Sequence, residues 1–288
     1  MSRVLVTGAS GFVGQAVMRA LARRDCTTRC VLRPGAEVPL ADETVMTGDL
    51  FAEDAGFWAD TFDGVDMVLH LAWYAEPGKY LTSDKNLDCL SGTLRMAQGA
   101  VAAGLRRFVG TGTCFEYAFG DGMLYPDGPL DPQTPYAAAK VSAYLTLKAF
   151  FEQSGTEFLW ARLFYLHGAG EDPRRLAPYI HQQLAKGAVA ELTEGTQIRD
   201  FIDVDAAAEL YVGDAFSDAT GVTNISTGHG ISVRDLALGI ADQYGRRDLL
   251  KFGARPTNLT DPPIIIGPRH PRGAATPDLV HTSTPAPR

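Results

Sequence analysis

The sequence predicts an α/β protein built on a doubly wound parallel sheet with helices on both faces. In the first half of the chain, short apolar runs alternate with longer segments of helical periodicity, which is the pattern of successive βαβ units. A glycine-rich turn from Gly8 to Gly14 joins the first apolar run directly to the first helical segment. Both observations favour parallel strands joined by crossover helices.

The elements of the first half follow from this alternation. Apolar residues spaced three and four apart, such as Val13, Val17 and Leu21, indicate a helix with one buried face. Gly104 is placed to end a long helix as its C-cap. In chain order we predict a strand at 3–7, a helix at 12–24, strands at 30–32, 44–46 and 65–71, a helix at 81–103 and a strand at 107–110.

The second half is less regular. Pro135 is suited to opening one helix and Ser232 to capping another. The predictions here are helices at 136–153, 173–186, 204–217 and 233–244, and strands at 157–163 and 222–225. After about Phe252 the chain becomes rich in Pro, Gly, Thr and Ala, and we expect residues 269–288 to form a tail without packed structure.

Composition narrows the possible functions. The 288 residues carry 34 Asp and Glu against 26 Lys and Arg, a formal net charge of −8. Nucleic-acid binding needs a basic surface, so this charge argues against it. No apolar run approaches the ~20 residues of a membrane span, no secretory signal pattern is present, and four cysteines are too few for a disulfide framework. We therefore expect a cytoplasmic protein without a membrane partner, and we assign no metal ligands.

The glycine-rich turn predicts a dinucleotide site. Gly8 permits the tight turn, Gly11 lets the backbone approach a diphosphate, and Gly14 lets the helix pack closely on the strand. The diphosphate would then lie on the free N–H groups at the start of the helix. The residues of this loop that we assign to the cofactor are Gly8, Ser10, Gly11, Phe12, Val13 and Gly14.

The position after the second strand bears on the choice of cofactor. An acidic residue there would accept a hydrogen bond from the ribose 2′-hydroxyl of NAD, whereas this chain has Arg33. An arginine can pair with a 2′-phosphate, so NADP is preferred over NAD. The alternative is that Arg33 stacks on the adenine or is simply solvated.

Other cofactor contacts are assigned by position at the carboxyl ends of strands, where ligands of such sheets bind. Asp49 and Leu50 follow the third strand and could hold the adenine. His70 is expected to be a packed strand residue rather than a catalyst. The remaining residues assigned to the cofactor are Leu71, Ala72, Tyr136, Lys140, Leu163 and Leu166.

A tyrosine and a lysine one helical turn apart provide the candidate chemistry. Tyr136 and Lys140 share one helix face. An ammonium beside a phenol favours the phenolate, so we expect Lys140 to lower the pKa of Tyr136 and make it a usable acid or base. Thr113, at the end of the preceding strand, is the candidate hydroxyl that polarises a substrate carbonyl, with Thr111 as the fallback.

Several motifs in order give the chain a family resemblance from about Val4 to Tyr244. They read TGASGFVG from Thr7, GDL from Gly48, HLA from His70, TGTCFEY from Thr111, PYAAAK from Pro135 and IRDFIDVDAA from Ile198. In these motifs the sequence resembles the extended short-chain dehydrogenases/reductases of the NAD-dependent epimerase/dehydratase family, which act on nucleotide-sugars.

The resemblance implies an organisation and a set of roles. It implies a Rossmann dinucleotide-binding domain at 1–165, joined by parts of 198–228, and a smaller C-terminal substrate-binding α/β domain mainly at 166–268. It also implies the catalytic set Thr113, Tyr136 and Lys140, supported by Asn86. Arg199 would contact the substrate diphosphate; the alternative is that Arg199 pairs with Asp200 or Asp203.

Departures from the family pattern narrow the reaction. The dehydratases of the family carry an Asp–Glu pair where this chain has Cys114 and Phe115. The reductase-epimerases pair a cysteine with a histidine, and those places fall on Phe115 and near Arg175. A common asparagine is replaced by Tyr165. What remains is hydride transfer alone.

The leading hypothesis is therefore NAD(P)H-dependent reduction of a nucleoside-diphosphate 4-keto-6-deoxy sugar. A redox-neutral 4-epimerase with tightly bound NAD is the alternative, and a non-catalytic dinucleotide-sensing protein is a third. Thr113, Arg199, Trp73, Phe115 and Tyr165 are assigned to the substrate. The helices at 81–103 and 136–153 are predicted to pair across a two-fold axis, as in the family, so that a homodimer forms through a four-helix bundle.

Overall fold

Seven parallel strands form the central sheet of the computed structural model, which describes residues 2–257 and 261–270. Their order across the sheet is β11-β6-β5-β4-β1-β2-β3. The strands of this sheet are β1 Ser2–Thr7, β2 Cys26–Leu32, β3 Glu43–Met46, β4 Met67–His70, β5 Arg107–Thr113, β6 Glu157–Leu163 and β11 Gly221–Ile225. The predicted doubly wound parallel sheet is thus confirmed.

Short strands and seven helices complete the described part of the chain. The short strands are β7 Tyr165–His167, β8 Ala190–Glu191, β9 Ile198–Arg199, β10 Phe201–Asp203, β12 Ile231–Ser232, β13 Leu250–Lys251 and β14 Ile264–Ile265. The helices are α1 Phe12–Leu21, α2 Ala55–Thr61, α3 Lys85–Ala102, α4 Pro135–Ser154, α5 Leu176–Ala185, α6 Val204–Phe216 and α7 Val233–Tyr244.

The two faces of the sheet bury separate cores, because successive side chains of a strand point to opposite sides. In β1, Val4 and Val6 pack into the core beneath α1 and α6, while Leu5 packs into the core beneath α2, α3 and α4. All three side chains are fully buried. This is why the strands read as continuous apolar runs rather than as alternating ones.

The chain reverses its direction across the sheet between β1 and β4. It runs outward from β1 to β3 and then returns to place β4 on the other side of β1. Thr7 and His70, the last residues of these two strands, are register partners. In open α/β sheets this topological switch point is where the carboxyl ends of the strands form a ligand-binding crevice.

Residues after β6 build a smaller structure beside the sheet. There β10 pairs with β7, β13 pairs with β8, and β9 lies between β12 and β14. Helices α5 and α7 enclose a third apolar core that includes Ile180, Leu184 and Ile240. The predicted boundary between residues 165 and 166 falls within β7, and the division into domains stays a prediction.

Some predicted elements differ from the structure at their ends. The helix predicted from residue 81 begins at Lys85, since the carbonyl of Leu81 accepts instead from Tyr136 N–H at 3.1 Å. The helix predicted from residue 173 begins at Leu176, after a turn in which Arg175 N–H donates to Asp172. The apolar periodicity extends into these turns, but their backbone groups form hydrogen bonds that do not belong to the helices.

Other differences concern the ends of two further elements and one helix that was not predicted. The first helix ends at Leu21 rather than residue 24, and β5 continues beyond residue 110 to Thr113. Helix α2 was not predicted, although Asp54 caps it by accepting from Phe57 N–H at 2.9 Å. Of the predicted unpacked tail at 269–288, only Arg269 and His270 are described, and the rest lies outside the described residues.

Two kinds of feature are absent from the described residues. Among the helices at 2–257 and 261–270, none is long and apolar enough to cross a bilayer. The same residues contain no group of three His, Cys, Asp or Glu side chains that could hold a metal ion.

Candidate active site

The glycine turn leaves no room for side chains at two of its positions. Gly8 has a φ of +75°, and a Cβ atom there would come within 2.7 Å of the backbone nitrogen of Ala72, at the end of β4. A Cβ atom on Gly14 would overlap the carbonyl oxygen of Gly8. The turn is therefore packed directly against the topological switch point, as the motif predicts.

Helix α1 begins without a side-chain cap. Gly11 is the N-cap residue and provides no side chain to accept from the first N–H groups of the helix, which are those at Phe12 and beyond. Such groups and the positive end of the helix dipole favour a bound anion. Together with the glycine cradle, this fits the diphosphate of a dinucleotide.

The other residues assigned to the cofactor are distributed along the carboxyl edge. Arg33 is exposed and directly follows the last residue of β2. Asp49 is exposed in the turn after β3, where its carboxylate accepts from Phe51 N–H at 2.9 Å. The apolar members, half-buried at the rims of the two large cores, are Leu50, Leu71, Leu163 and Leu166.

Tyr136 and Thr113 meet where β5 and α4 approach each other. Thr134 caps α4 by accepting from Ala137 N–H at 3.2 Å, and this places Tyr136 in the first turn of the helix. The Thr113 side chain lies beside the Tyr136 phenol. The Tyr136 ring also lies edge-on to Tyr80, with ring centres 4.8 Å apart.

The direction of the Tyr136 pKa shift corrects the sequence-based expectation. Burial raises the pKa of Tyr136 above its usual value of 10, and the neighbouring Tyr80 raises the pKa further, while the Thr113 side chain lowers it. Lys140 is not among the largest influences on this pKa. The phenol is therefore protonated at neutral pH.

The Lys140 ammonium contacts a backbone carbonyl and an aromatic ring. Its Nζ atom donates to the carbonyl of Thr111 at 2.7 Å and lies 3.7 Å from the centre of the Trp73 ring. Burial lowers the pKa of Lys140 to about 7, because a charged ammonium loses its hydration there. A helical spacing of four places two residues on one face, but it does not set the direction of a long side chain.

Trp73 and Asn86 organise the segment between β4 and α3. The Trp73 indole donates to Asn86 Oδ1 at 2.8 Å. The Asn86 amide in turn donates to the carbonyls of Tyr80 and Ser83 at 2.7 and 2.8 Å. Asn86 therefore supports Lys140 through Trp73.

Three of the residues assigned to the substrate, Phe115, Tyr165 and Arg199, form a second group. The rings of Phe115 and Tyr165 lie 6.2 Å apart, and the Arg199 guanidinium lies 5.4 Å from the centre of the Tyr165 ring. Arg199 pairs with Asp261, whose carboxylate is 2.7 Å away.

The alternative partners considered for Arg199 are engaged elsewhere. The buried Asp200 carboxylate accepts from Thr227 N–H and Gly228 N–H, each at 2.8 Å. Asp203 caps α6 by accepting from Asp205 N–H at 2.9 Å. The pairing of Arg199 with Asp200 or Asp203 is therefore wrong.

His70 has the structural role expected of it. Its ring nitrogens lie 2.8 Å from Thr7 Oγ1 and 2.9 Å from Thr93 Oγ1, and the side chain is buried. Burial lowers the pKa of His70 to about 3. The ring stays neutral and ties β4 to β1 and α3.

Sequence reasoning missed three residues near the site. Tyr80 lies in a connection with no motif to mark it. Glu116 is a charged residue directly after a buried strand, which was a usable signal, and Trp160 belongs to the apolar run of β6. Glu116 is fully buried and accepts from the Trp160 indole and the Arg162 guanidinium.

Comparisons with known proteins agree with this geometry. A sequence model of the NAD-dependent epimerase/dehydratase family matches residues 4–215. The chain is 23% identical to a dTDP-6-deoxy-L-talose 4-dehydrogenase (NAD(+)) of Aggregatibacter actinomycetemcomitans, with 92% of this chain and 98% of the relative covered. It is 27% identical to a UDP-glucose 4-epimerase of Mycolicibacterium smegmatis, with 90% and 87% covered.

A solved structure shows the same fold. The UDP-N-acetylglucosamine 4-epimerase of Methanobrevibacter ruminantium M1, in complex with UDP-N-acetylmuramic acid, superposes with a TM-score of 0.82 at 22% identity. The alignment covers 93% of this chain and 89% of that one.

Proposed function

This chain belongs to the NAD-dependent epimerase/dehydratase family, and from that premise we propose that it reduces the 4-keto group of a nucleoside-diphosphate 4-keto-6-deoxy sugar with a nicotinamide dinucleotide. The observation that carries the proposal is that the side chains of Thr113 and Tyr136 lie side by side at the carboxyl edge, where the glycine turn also lies. The similar dTDP-6-deoxy-L-talose 4-dehydrogenase supports C4 of the sugar as the reacting position.

The two hydroxyls have separate roles in this reaction. A bound reduced dinucleotide supplies the hydride to C4. Tyr136 donates its proton to the carbonyl oxygen, and its raised pKa keeps that proton in place at neutral pH. Thr113 donates a hydrogen bond to the same oxygen, which stabilises the negative charge that develops there.

The residues after Thr113 support a reduction without dehydration. Burial raises the pKa of the Cys114 thiol to about 12, so it does not ionise near neutral pH. Phe115 has no titratable group. The acid and base that the dehydratases use at these two positions are therefore missing from this chain, and the same two residues offer no base for carbon epimerisation.

Arg199 is proposed to bind the substrate diphosphate. It is buried beside Tyr165, and a guanidinium can donate two hydrogen bonds to a phosphate. Its pairing with the Asp261 carboxylate supports this assignment, because the guanidinium binds an anionic oxygen there.

The proposal is tested by screening nucleoside-diphosphate 4-keto-6-deoxy sugars with NADPH and with NADH. We expect reduced-nicotinamide absorbance to fall with at least one sugar nucleotide, and the product to carry a C4 hydroxyl by mass and NMR. An active, folded enzyme that oxidises no reduced dinucleotide with any of these sugars would overturn the proposed reduction.

A redox-neutral 4-epimerase is the second candidate. It would use the same Thr113, Tyr136 and Lys140, and the epimerases similar to this chain favour it. The nucleotide that copurifies with the protein separates the two candidates. Retained NAD, together with interconversion of C4 epimers without net oxidation, would support the epimerase, whereas freely exchanging NADPH would support the reductase.

We also propose that the chain forms a homodimer through α3 and α4. These helices pack together and expose large apolar side chains, with Leu87 64%, Leu145 53% and Phe150 38% exposed. A second copy covering them would bury this surface in a four-helix bundle. Light scattering of wild type and of L145E is the test, with a dimer expected for the first and a monomer for the second.

A further inference from the structure

A buried carboxylate lies directly behind the proposed catalytic hydroxyls. Glu116 is fully buried in the short 3-10 helix that follows β5. Its Oε1 atom accepts from Thr113 N–H at 2.8 Å, and its Oε2 atom accepts from Arg162 Nε at 2.6 Å. The Trp160 indole donates to both oxygens at 3.0 Å. Burying a carboxylate is unfavourable unless it is paired in this way.

Thr113 forms hydrogen bonds through both its backbone and its side chain. Its N–H donates to the Glu116 carboxylate, and its hydroxyl accepts from the turn that follows. The Thr113 hydroxyl accepts from Phe115 N–H at 3.3 Å, so Thr113 and Glu116 form a reciprocal capping box. The backbone of Thr113 is therefore tied to the side chain of Glu116.

The strands are shaped to admit this carboxylate. Gly112 of β5 is the register partner of Arg162, and a Cβ atom on Gly112 would overlap both the Trp160 indole and the Glu116 carboxylate. Gly110 is the register partner of Trp160, and a Cβ atom on Gly110 would overlap the Trp160 ring. The two glycines make the space in which Glu116 reaches Thr113.

Glu116 also faces two buried cations. Arg162 is its direct partner, and the Lys140 ammonium lies 5.9 Å from the centre of the Trp160 ring, whose indole donates to Glu116 at 3.0 Å. Two other titratable groups interact electrostatically with Lys140. The Cys89 thiol of α3 raises the pKa of Lys140, and Lys140 lowers the pKa of the neutral His70 of β4. The carboxylate charge of Glu116 favours the protonated form of Lys140.

We propose that Glu116 is a positioning residue of the reaction, which fixes the backbone of Thr113 and provides the buried negative charge that faces Lys140. The role of Thr113 in this statement rests on the proposed function. The electrostatic effect of Glu116 on Lys140 does not rest on the proposed function. The two parts of the proposal are therefore measured separately.

The test compares E116Q with E157Q in the full chain. Glu157 is the matched control, since it pairs with the buried Arg107 at 2.9 Å at the opposite end of β5 and β6, far from the site. The first readout is the pH dependence of tryptophan emission, because the Trp73 ring lies against the Lys140 ammonium. K140M identifies the part of the titration that belongs to Lys140.

For wild type we expect an emission midpoint near pH 7, the value to which burial lowers the pKa of Lys140. The midpoint should move to lower pH in E116Q, where a negative neighbour is lost, and stay in place in E157Q. This readout needs no substrate, so it decides the electrostatic part even if the proposed reaction is wrong. A folded E116Q with the wild-type midpoint would overturn that part.

The second readout is steady-state kinetics with an accepted substrate. We expect kcat of E116Q to fall on the order of tenfold or more, since small displacements of a reacting group are costly, with KM and dinucleotide affinity nearly unchanged. E157Q should keep the wild-type kcat. An E116Q enzyme with wild-type kcat would refute the positioning of Thr113.

A further variant covers the case in which E116Q does not fold. E116D keeps the charge but draws the carboxylate back from Thr113 by one methylene. Its emission midpoint should stay close to that of wild type while its kcat falls. Wild-type kcat in E116D would then refute the positioning role.

Discussion

The ammonium of Lys140 lies on the face of the Trp73 indole, 3.7 Å from the ring centre. The ammonium also donates to the carbonyl of Thr111 at 2.7 Å. Trp73 is itself held by the hydrogen bond from its indole nitrogen to Asn86. The charge at the centre of the site is thus positioned by an aromatic ring that the sequence analysis assigned to the substrate.

Replacing Trp73 should separate the aromatic face from the indole hydrogen bond. W73F keeps a ring against Lys140 and loses the bond to Asn86, while W73L loses both. Because a partly desolvated cation–π contact is worth about 1–2 kcal/mol, we expect kcat to fall about tenfold in W73L and by less in W73F. W58F, altered at a buried tryptophan of the α2 core, is the control that should keep wild-type kcat. Equal losses in W73F and W73L would count against the aromatic contact.

Removing the Tyr136 hydroxyl should abolish turnover. The Y136F enzyme has no proton to donate to the substrate oxygen, so kcat should fall by about a thousandfold, within the range for loss of a general acid. Dinucleotide affinity should change little. Stopped-flow turnover and fluorescence titration with NADPH measure the two quantities, and a variant that retained most of the wild-type rate would show that another group donates the proton.

Lys140 should destabilise the folded protein in a pH-dependent way. Its pKa is about 7 in the folded state against 10.5 for the free side chain, so the unfolded chain binds more protons between these values and stability rises with pH across this window. K140M should therefore be more stable than wild type below pH 7. This gain should shrink as pH rises from 7 towards 10.5.

Urea unfolding of wild type and K140M at pH 6, 8 and 10 provides the measurement. The Y136F variant, unfolded under the same conditions, controls for the loss of a polar side chain from the same helix face. A difference between wild type and K140M that does not vary with pH would mean that Lys140 keeps an ordinary pKa in the folded protein.

The glycine turn should not tolerate even a methyl group at Gly14. In G14A the new Cβ atom overlaps the Gly8 carbonyl, so the turn must move and dinucleotide binding should be lost or weakened at least tenfold. Gly213 in α6 is the matched control, because a Cβ atom there meets nothing within 4 Å. G213A should bind normally and gain about 0.5–1 kcal/mol of stability. Calorimetric titration with NAD and NADPH compares them.

Arg33 should discriminate between the two dinucleotides. If its guanidinium binds the 2′-phosphate, R33A should weaken NADPH on the order of tenfold, since charge-assisted hydrogen bonds contribute about 1.5–3 kcal/mol each. NADH binding should change by less than about twofold. Equal losses for both dinucleotides would instead indicate stacking on the adenine.

Local patterns account for most of what could be predicted. Strand β6 and helix α7 have the predicted bounds, and the glycine turn lies where the motif placed it, at the end of β1 beside β4. Each of these features depends on residues that are close in sequence: an apolar run, a cap at Ser232, or glycines at fixed spacing. The carboxyl edge then follows from parallel strand order.

The direction of each long or charged side chain could not be read in the same way. Lys140 was expected to act on Tyr136, but its ammonium lies against Trp73, from a segment 67 positions earlier in the numbering of the chain. Arg199 was assigned to the substrate diphosphate, with a neighbour in sequence as the alternative partner, and it pairs with Asp261. The sequence assigned no role to Glu116, because its partners Arg162 and Trp160 lie on β6 and contact it only in the folded protein. Spacing along the chain sets the backbone and the face of an element, whereas the position of a buried charge depends on the partners that distant segments bring to it.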